Sequence, residues 1–133
     1  MIGALPDDVL EAVLESIPIE FSVIDGEDRV LAWNKHETRI FKRPKSVVGK
    51  NVRNCHPSGS VHKVEQIIDE MKACKLDNAR FWIDLPIGQN GKQKVLIEYI
   101  ALRDAEGNHL GVLEASRNIS DLQSLKGQKR LLD

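Results

Sequence analysis

The stretch "RFWIDLPIGQNGKQKVLIEYIALRDAEGNHLGVLEASRNI", residues 80–119, decides the fold of this chain. It holds three apolar-rich runs, which the turn sequences "GQNG" and "DAEGN" separate. Apolar and polar residues alternate along the first run, whose apolar positions are Phe81, Ile83, Leu85 and Ile87. A period of two is typical of a half-buried strand. Asn90-Gly91 is the strongest short hairpin signal in the chain. Residues 80–119 therefore predict three consecutive antiparallel strands.

Two further strands and a helix precede this stretch. "IEFSVID" and "RVLAWN" predict a hairpin of strands at about 19–25 and 29–33, with "GED" as its turn. "LPDDVLEAVLESIP", residues 5–18, predicts an amphipathic helix, because its apolar residues recur at helical spacing. Pro6 suits the first helical position, and Pro18 ends the helix.

The strand pattern is absent between Asn34 and Ile68, so this part must form a cover over the sheet. "SVHKVEQIIDEMKACK", residues 60–75, predicts the main helix of that cover, with Ser60 as its N-cap. Residues 120–133 predict a capped C-terminal helix. The fold class is α+β, a five-stranded antiparallel sheet with a helical lid on one face. The predicted organisation is a flanking helix over 1–18, one domain over 19–119 and a flanking helix over 120–133.

Composition narrows the classes of function. The 133 residues include 19 basic and 20 acidic ones, which are well mixed and give a net charge of −1. The sequence contains no stripe of basic residues, so neither nucleic acid nor an anionic membrane is expected as a partner. No apolar run approaches the roughly 18 residues that cross a bilayer, and the N-terminus has no signal-peptide pattern. Two cysteines do not make a disulfide scaffold, so a reducing cytoplasm is the expected location.

The element order resembles that of the PAS domain, a sensory and interaction module. The resemblance rests on Asp25, Asn34, Phe41, Gly49 and the strand pair that ends in "RDAEGNHLGVLEASRNIS". In addition, "NCHPSGSVHKVEQI", "FWI" and "LKGQKRLLD" look like the PAS portion of proteins that couple PAS to a hemerythrin-like domain. The resemblance implies a PAS fold, a homodimer that pairs through the outer sheet face and a flanking helix, and a hemerythrin-like or other signalling partner.

A ligand pocket is expected between the central helix and the sheet. Its predicted lining from the helix and the sheet is Val64, Ile68, Met71, Phe81, Ile83, Ile97, Tyr99 and Leu113. Cys55 and His56 are expected at its mouth. The same apolar residues could instead fill an ordinary core without a ligand.

The run "NVRNCHPSGSVHKVE", residues 51–65, offers metal or haem ligands. PAS domains that bind haem often use a histidine of the central helix, and His62 has that position. On a helical wheel, however, His62 falls with polar residues opposite the apolar arc, which predicts that it faces water. Cys55, His56 and His62 are a weak zinc set, because no fourth ligand is evident. Cys55 could also be a redox-sensitive thiol beside His56, or part of an ordinary turn that Pro57 fixes. Asn54-Cys55 matches a flavin-binding run in only two letters.

The last hairpin can be paired with Ile100 opposite Val112 and Glu98 opposite Glu114. In that register the carboxylates of Glu98 and Glu114 would repel each other. Either the true register therefore differs by one residue, or an arginine lies close to the pair. Both sheet faces are partly apolar, and the outer one needs a cover, either the N-terminal helix or a second copy of the chain.

The sequence thus predicts a sensory module that binds a small molecule or a cofactor such as haem and signals through flanking helices or dimerisation. A dimerisation module with a filled core is the alternative, and a metal or thiol redox sensor is a weaker one. No acid, base and nucleophile gather at workable spacing, so an enzyme is not expected.

Overall fold

The computed structural model describes residues 1–55 and 59–132, and of Cys55 it describes the backbone alone. The elements in these ranges are α1 (Asp7–Ser16), β1 (Glu20–Asp25), β2 (Val30–Trp33), α2 (Val61–Lys72), β3 (Asn78–Pro86), β4 (Lys92–Arg103), β5 (His109–Asn118) and α3 (Ser120–Gln123). Short 3-10 helices at Lys45–Val47 and Val52–Cys55 lie in the connection between β2 and α2.

The strands form one antiparallel sheet in the order β2-β1-β5-β4-β3. Strand β1 therefore pairs with both β2 and β5, and the long β3–β4–β5 meander makes the other half. Helix α2 lies over one face, which we call the inner face. The predicted α+β class, five-stranded sheet and helical lid are confirmed.

Two hairpin turns use the same side-chain chemistry. The Asp25 carboxylate accepts hydrogen bonds from the N–H groups of Glu27 and Arg29, both at 2.9 Å. The Asp104 carboxylate accepts one from the N–H of Asn108 at 2.9 Å. The backbone N–H of Arg29 lowers the pKa of Asp25, and the Asn108 side chain lowers that of Asp104. Both turns are thus held by an ionised aspartate.

The predicted register of the last hairpin is wrong by one residue. Ile100 pairs with Leu113 rather than Val112, and Tyr99 rather than Glu98 pairs with Glu114. The pairing of β4 with β5 has one register irregularity, between Leu102 and Arg103. Because side chains alternate along a strand, a slip of one residue moves every side chain of β5 to the other face.

The core lies between α2 and the inner face. Its buried members are Ile24, Val30, Val52, Val64, Ile68, Met71, Tyr99 and Val112. The inward face of α2 is therefore the predicted apolar arc. Asp28 joins this helix to the rest of the fold, because it forms ion pairs with Arg53 at 3.0 Å and Lys72 at 2.8 Å.

The predicted C-terminal helix over 120–133 is wrong in length, because α3 ends at Gln123. Leu125, Leu131 and Leu132 are largely exposed, so no packing stabilises a longer helix. Short helices without packing are marginal in water. Within the described ranges, no helix has the length and apolar composition that crossing a membrane requires.

Candidate functional site

A cavity of about 830 Å³ lies between the inner sheet face, the first turns of α2 and the segment 39–43 that precedes α2. Strands β1, β5, β4 and β3 form its floor, and the helix and the segment form its walls. A volume of this size is in the range of small-molecule sites in proteins.

One part of the cavity is apolar. Its side chains are Ile40, Phe41, Val64, Ile67, Phe81, Ile83 and Ile97. The Phe81 ring stacks on the Tyr99 ring, with centroids 5.7 Å apart and planes 22° apart. Alternation along β3 and β4 turns these residues inward, while their neighbours Trp82 and Leu96 belong to the outer face. This part can hold the apolar body of a ligand.

The other part of the cavity is polar, and side chains of β1, β4, β5 and the segment 39–43 form it. Arg43 donates from Nη2 to Glu114 at 2.8 Å and from Nε to the Ser22 hydroxyl at 3.1 Å. Ser116 and Tyr99 border the same end. Burial, and then the charge of Glu114, raise the pKa of Tyr99, so its phenol stays protonated and can donate a hydrogen bond.

The segment 39–43 is held by a buried acid and a buried base. The Glu20 carboxylate accepts from the N–H groups of Ile40 at 2.6 Å and Phe41 at 3.0 Å. The Arg39 guanidinium donates to the carbonyls of Phe21 at 3.0 Å and Asn34 at 2.9 Å. Burial is the main cause that lowers the pKa of Arg39, and the charge of Glu20 opposes it. These bonds fix one wall of the cavity to β1.

The structure gathers five of the predicted lining residues. Val64, Phe81, Ile83, Ile97 and Tyr99 border the cavity. Their ability to bind a ligand stays a prediction.

Three other predicted lining residues lie elsewhere. Ile68 and Met71 are fully buried in the core, one and two turns along α2 from Val64, and neither borders the cavity. Leu113 lies on the outer face, because the true register turns Val112 and Glu114 inward.

The remaining predicted residues are Cys55 and His56, which precede α2 in the sequence, and His62 in its first turn. His62 is exposed, on a shallow open groove along the solvent side of α2, as the helical wheel predicts. The side chain of Cys55 and the whole of His56 lie outside the described residues. Their predicted roles at the pocket mouth, in metal binding or as a reactive thiol stay predictions.

The sequence predicts the apolar lining of the cavity but not its polar end. Its members are Ser22, Arg39, Arg43, Glu114 and Ser116. A signal existed in β5, where Glu114 and Ser116 alternate with the apolar Leu113 and Ala115. Polar residues in such a pattern normally face water. Here they face a buried cavity, and only the register could have shown it.

Haem or metal binding by the predicted ligands Cys55 and His56 stays a prediction, because the side chain of Cys55 and the whole of His56 lie outside the described residues. Among the described residues that line the cavity there is no histidine, cysteine or methionine, which are common haem ligands. The described parts of the chain also hold no group of three or more histidine, cysteine, aspartate or glutamate side chains that could bind a metal.

The sheet order, the helical lid and the cavity beneath it define an α+β sensory-domain architecture. The sequence model of the PAS domain family matches residues 10–120, so the chain belongs to the PAS domain family. No curated protein matches the chain. The comparisons confirm the predicted PAS resemblance, and the likeness to hemerythrin-coupled proteins stays a prediction.

Solved structures carry the same fold. The C-terminal domain of a protein from Streptococcus mutans is 26% identical, with a TM-score of 0.83 over 95% of this chain and 94% of that one. The PAS domain of BvgS from Bordetella pertussis is 16% identical, with a TM-score of 0.62 over 84% and 85%. A sensory box sensor histidine kinase from Vibrio cholerae is 14% identical, with a TM-score of 0.58 over 84% and 90%. The last of these is a sensor protein, and the PAS domain family to which this chain belongs is one of sensory and signalling modules.

Proposed function

We propose that this PAS domain senses a small organic molecule that binds in the inner cavity, and that it passes the binding event to its N-terminal flanking helix. The observation that carries the proposal is the cavity of about 830 Å³ with an apolar part and a polar end. Most small-molecule sites combine an apolar lining with a few placed polar groups.

The two parts of the lining suit different parts of one ligand. Ile67, Ile83 and Ile97 offer an apolar surface for a ring or chain. The protonated Tyr99 phenol and the Ser116 hydroxyl offer hydrogen bonds to a polar atom. A filled core without a ligand is less well supported, because a packed interior leaves few voids larger than a water molecule.

A chain of hydrogen bonds supports the route of the signal. Arg39, at the cavity wall, donates to the carbonyl of Asn34 at 2.9 Å. The Asn34 amide donates in turn to the carbonyl of Leu14 in α1 at 2.8 Å. A ligand that shifts the segment 39–43 would therefore act on the end of α1 through two contacts.

The experiment is a fluorescence titration with 1-anilinonaphthalene, a neutral dye that brightens in apolar surroundings. The wild type is expected to bind one dye molecule per chain. The variant Ile97→Trp fills the cavity and should abolish binding, whereas Leu96→Trp puts the same bulk on the outer face and should not. Val64→Phe fills the cavity from the helix side, should Ile97→Trp prove unstable. Absence of binding to the wild type, or equal binding to all variants, contradicts the proposal.

Dimerisation is a second proposed function, and helix α1 supports it. Val9, Leu10, Val13 and Leu14 form an apolar stripe on α1, and each is between 39% and 42% exposed. No residue of α1 is buried. A stripe of this kind is typical of a helix that pairs with another surface, here a second copy of the chain.

Sedimentation equilibrium tests the homodimer. The variant Val13→Asp places a charge in the stripe and should shift the chain toward monomer, while Ala12→Asp, which lies off the stripe, should not. A monomeric wild type, or the same state in both variants, contradicts this second proposal.

Two further proposals rest on the sequence. A hemerythrin-like partner is supported by the likeness of residues 54–67, and calorimetry with a hemerythrin-like domain tests it.

A metal or thiol redox sensor would use Cys55 and His56, and retention of zinc by wild type but not by Cys55→Ser or His56→Ala would support it.

A further inference from the structure

The charged side chains around the polar end of the cavity balance one another. Arg39, Arg43 and Glu114 line this end. The buried Glu20, which does not line the cavity, is a charged neighbour of Arg39. Arg43 and Glu114 form an ion pair at 2.8 Å, with side chains about one-tenth exposed. A charged ligand group at this end would have to break a buried pair, which is costly. The polar end therefore suits a neutral ligand atom.

The mouth of the cavity has a different charge balance. Lys42 and Lys63 both line the cavity and both are exposed to solvent. Neither lysine forms an ion pair within the part of the chain that the structure describes. Lys63 also belongs to the first turn of α2, which contains no acidic residue to offset the positive end of the helix. The mouth thus carries two lysine charges that no ion pair among the described residues offsets.

We propose that the ligand is an amphipathic anion, with its apolar body inside the cavity and one anionic headgroup, such as a carboxylate or sulfonate, between Lys42 and Lys63. This inference rests on the proposed ligand-binding function and names the chemical class of the ligand. A headgroup at the mouth stays partly hydrated, so it avoids most of the cost of burying a charge. Its apolar body gains from leaving water in the apolar part of the cavity.

A pair of dyes that differ in one charge tests the proposal. 8-Anilinonaphthalene-1-sulfonate has the ring system of 1-anilinonaphthalene and adds one sulfonate. The double variant Lys42→Glu/Lys63→Glu reverses the charge of the mouth. The matched control Lys126→Glu/Lys129→Glu makes the same change of net charge in the exposed C-terminal segment, away from the cavity. Lys42→Gln/Lys63→Gln serves if the reversal impairs folding.

The expected result is a selective loss of affinity for the anionic dye. At low ionic strength, reversal of the mouth should raise the Kd of the sulfonate dye about tenfold, the control should change it less than about twofold, and added salt should reduce the difference. The Kd of the neutral dye should change less than about twofold in every variant. If mouth and control variants affect the anionic dye equally while the neutral dye still binds, the anion proposal fails and the cavity proposal stands. If the wild type binds neither dye, both fail.

Discussion

Asn34 connects three parts of the chain through one buried amide. Its Nδ2 donates to the carbonyls of Leu14 at 2.8 Å and Ile19 at 3.1 Å. Its Oδ1 accepts from the N–H of Phe21 at 2.7 Å. The end of α1, the start of β1 and the end of β2 therefore share a single polar side chain that is 1% exposed. The resemblance to PAS domains singled out this residue, and the structure supplies the reason.

Replacing Asn34 by alanine should destabilise the fold by about 2–4 kcal/mol, because buried backbone groups would lose their partners. Urea denaturation measures the change. Asn78→Ala, at an exposed position at the start of β3, is the matched control and should change stability by less than about 0.5 kcal/mol. A similar loss in both variants would show that the Asn34 amide has no special role.

His109 is expected to make stability depend on pH. Both of its ring nitrogens are buried and lack a hydrogen-bond partner among the described residues. Burial, and then the charges of Arg103 and Lys72, lower the pKa of His109, while Asp28 opposes them. The unfolded chain therefore takes up this proton at a higher pH than the folded chain does.

Stability should accordingly fall as the pH drops below about 6.5, the ordinary histidine value, and level off below the folded pKa. Denaturation of wild type and His109→Gln at several pH values between 7 and 5 measures this. The variant should lose less stability over that interval, and His62→Gln controls for the removal of an imidazole. Parallel pH profiles for wild type and His109→Gln would contradict the expectation.

At the scale of elements, the close approach of β5 to β1 depends on Gly111. A Cβ at this position would lie 2.0 Å from the carbonyl oxygen of Ile24. Asp25 pairs with Gly111, next to the place where the β4–β5 register shifts. The sequence shows a glycine inside a strand, which often marks a bend or a close backbone approach. It does not show which strand approaches.

Gly111→Ala should therefore destabilise the protein by at least about 2 kcal/mol, because the clash is with backbone and cannot be relieved by a side-chain rotation. Gly26→Ala is the matched control, since its nearest atom, the Leu110 carbonyl oxygen, would be an ordinary 3.7 Å away. Thermal unfolding of both variants measures the difference. Equal melting temperatures would mean that the strands move apart at little cost.

The elements themselves were largely predictable from local patterns. Alternation of Phe81 and Ile83 with Trp82 is a property of the strand alone, and it gave the correct inner face. The sheet face on which Leu113 lies was not predictable, because it depends on how the strands pair. A shift of the register by one residue moves its side chain to the other face. The helix after Ser120 was overestimated because capping and spacing say nothing about whether a partner surface exists.

At the scale of the whole molecule, the cavity depends on contacts between distant parts of the chain. Arg43 meets Glu114, 71 residues further on, and Glu20 holds the N–H groups of Ile40 and Phe41. No local pattern reveals such pairs, so the polar end could not be predicted, whereas the apolar lining could. The function proposed above belongs to this scale, because it needs the sheet, the helix and the segment 39–43 together.

The most direct test of the cavity as a ligand site is a methyl NMR titration of isoleucine-, leucine- and valine-labelled protein with 1-anilinonaphthalene. We predict shift changes and intermolecular NOEs at Ile67, Ile83, Ile97 and Val64, whose side chains line the cavity. Leu96 and Leu113 on the outer face should show neither. NOEs confined to the outer face or to α1, or no saturable change at the cavity methyls, would contradict the proposal that the space between α2 and the sheet binds ligands.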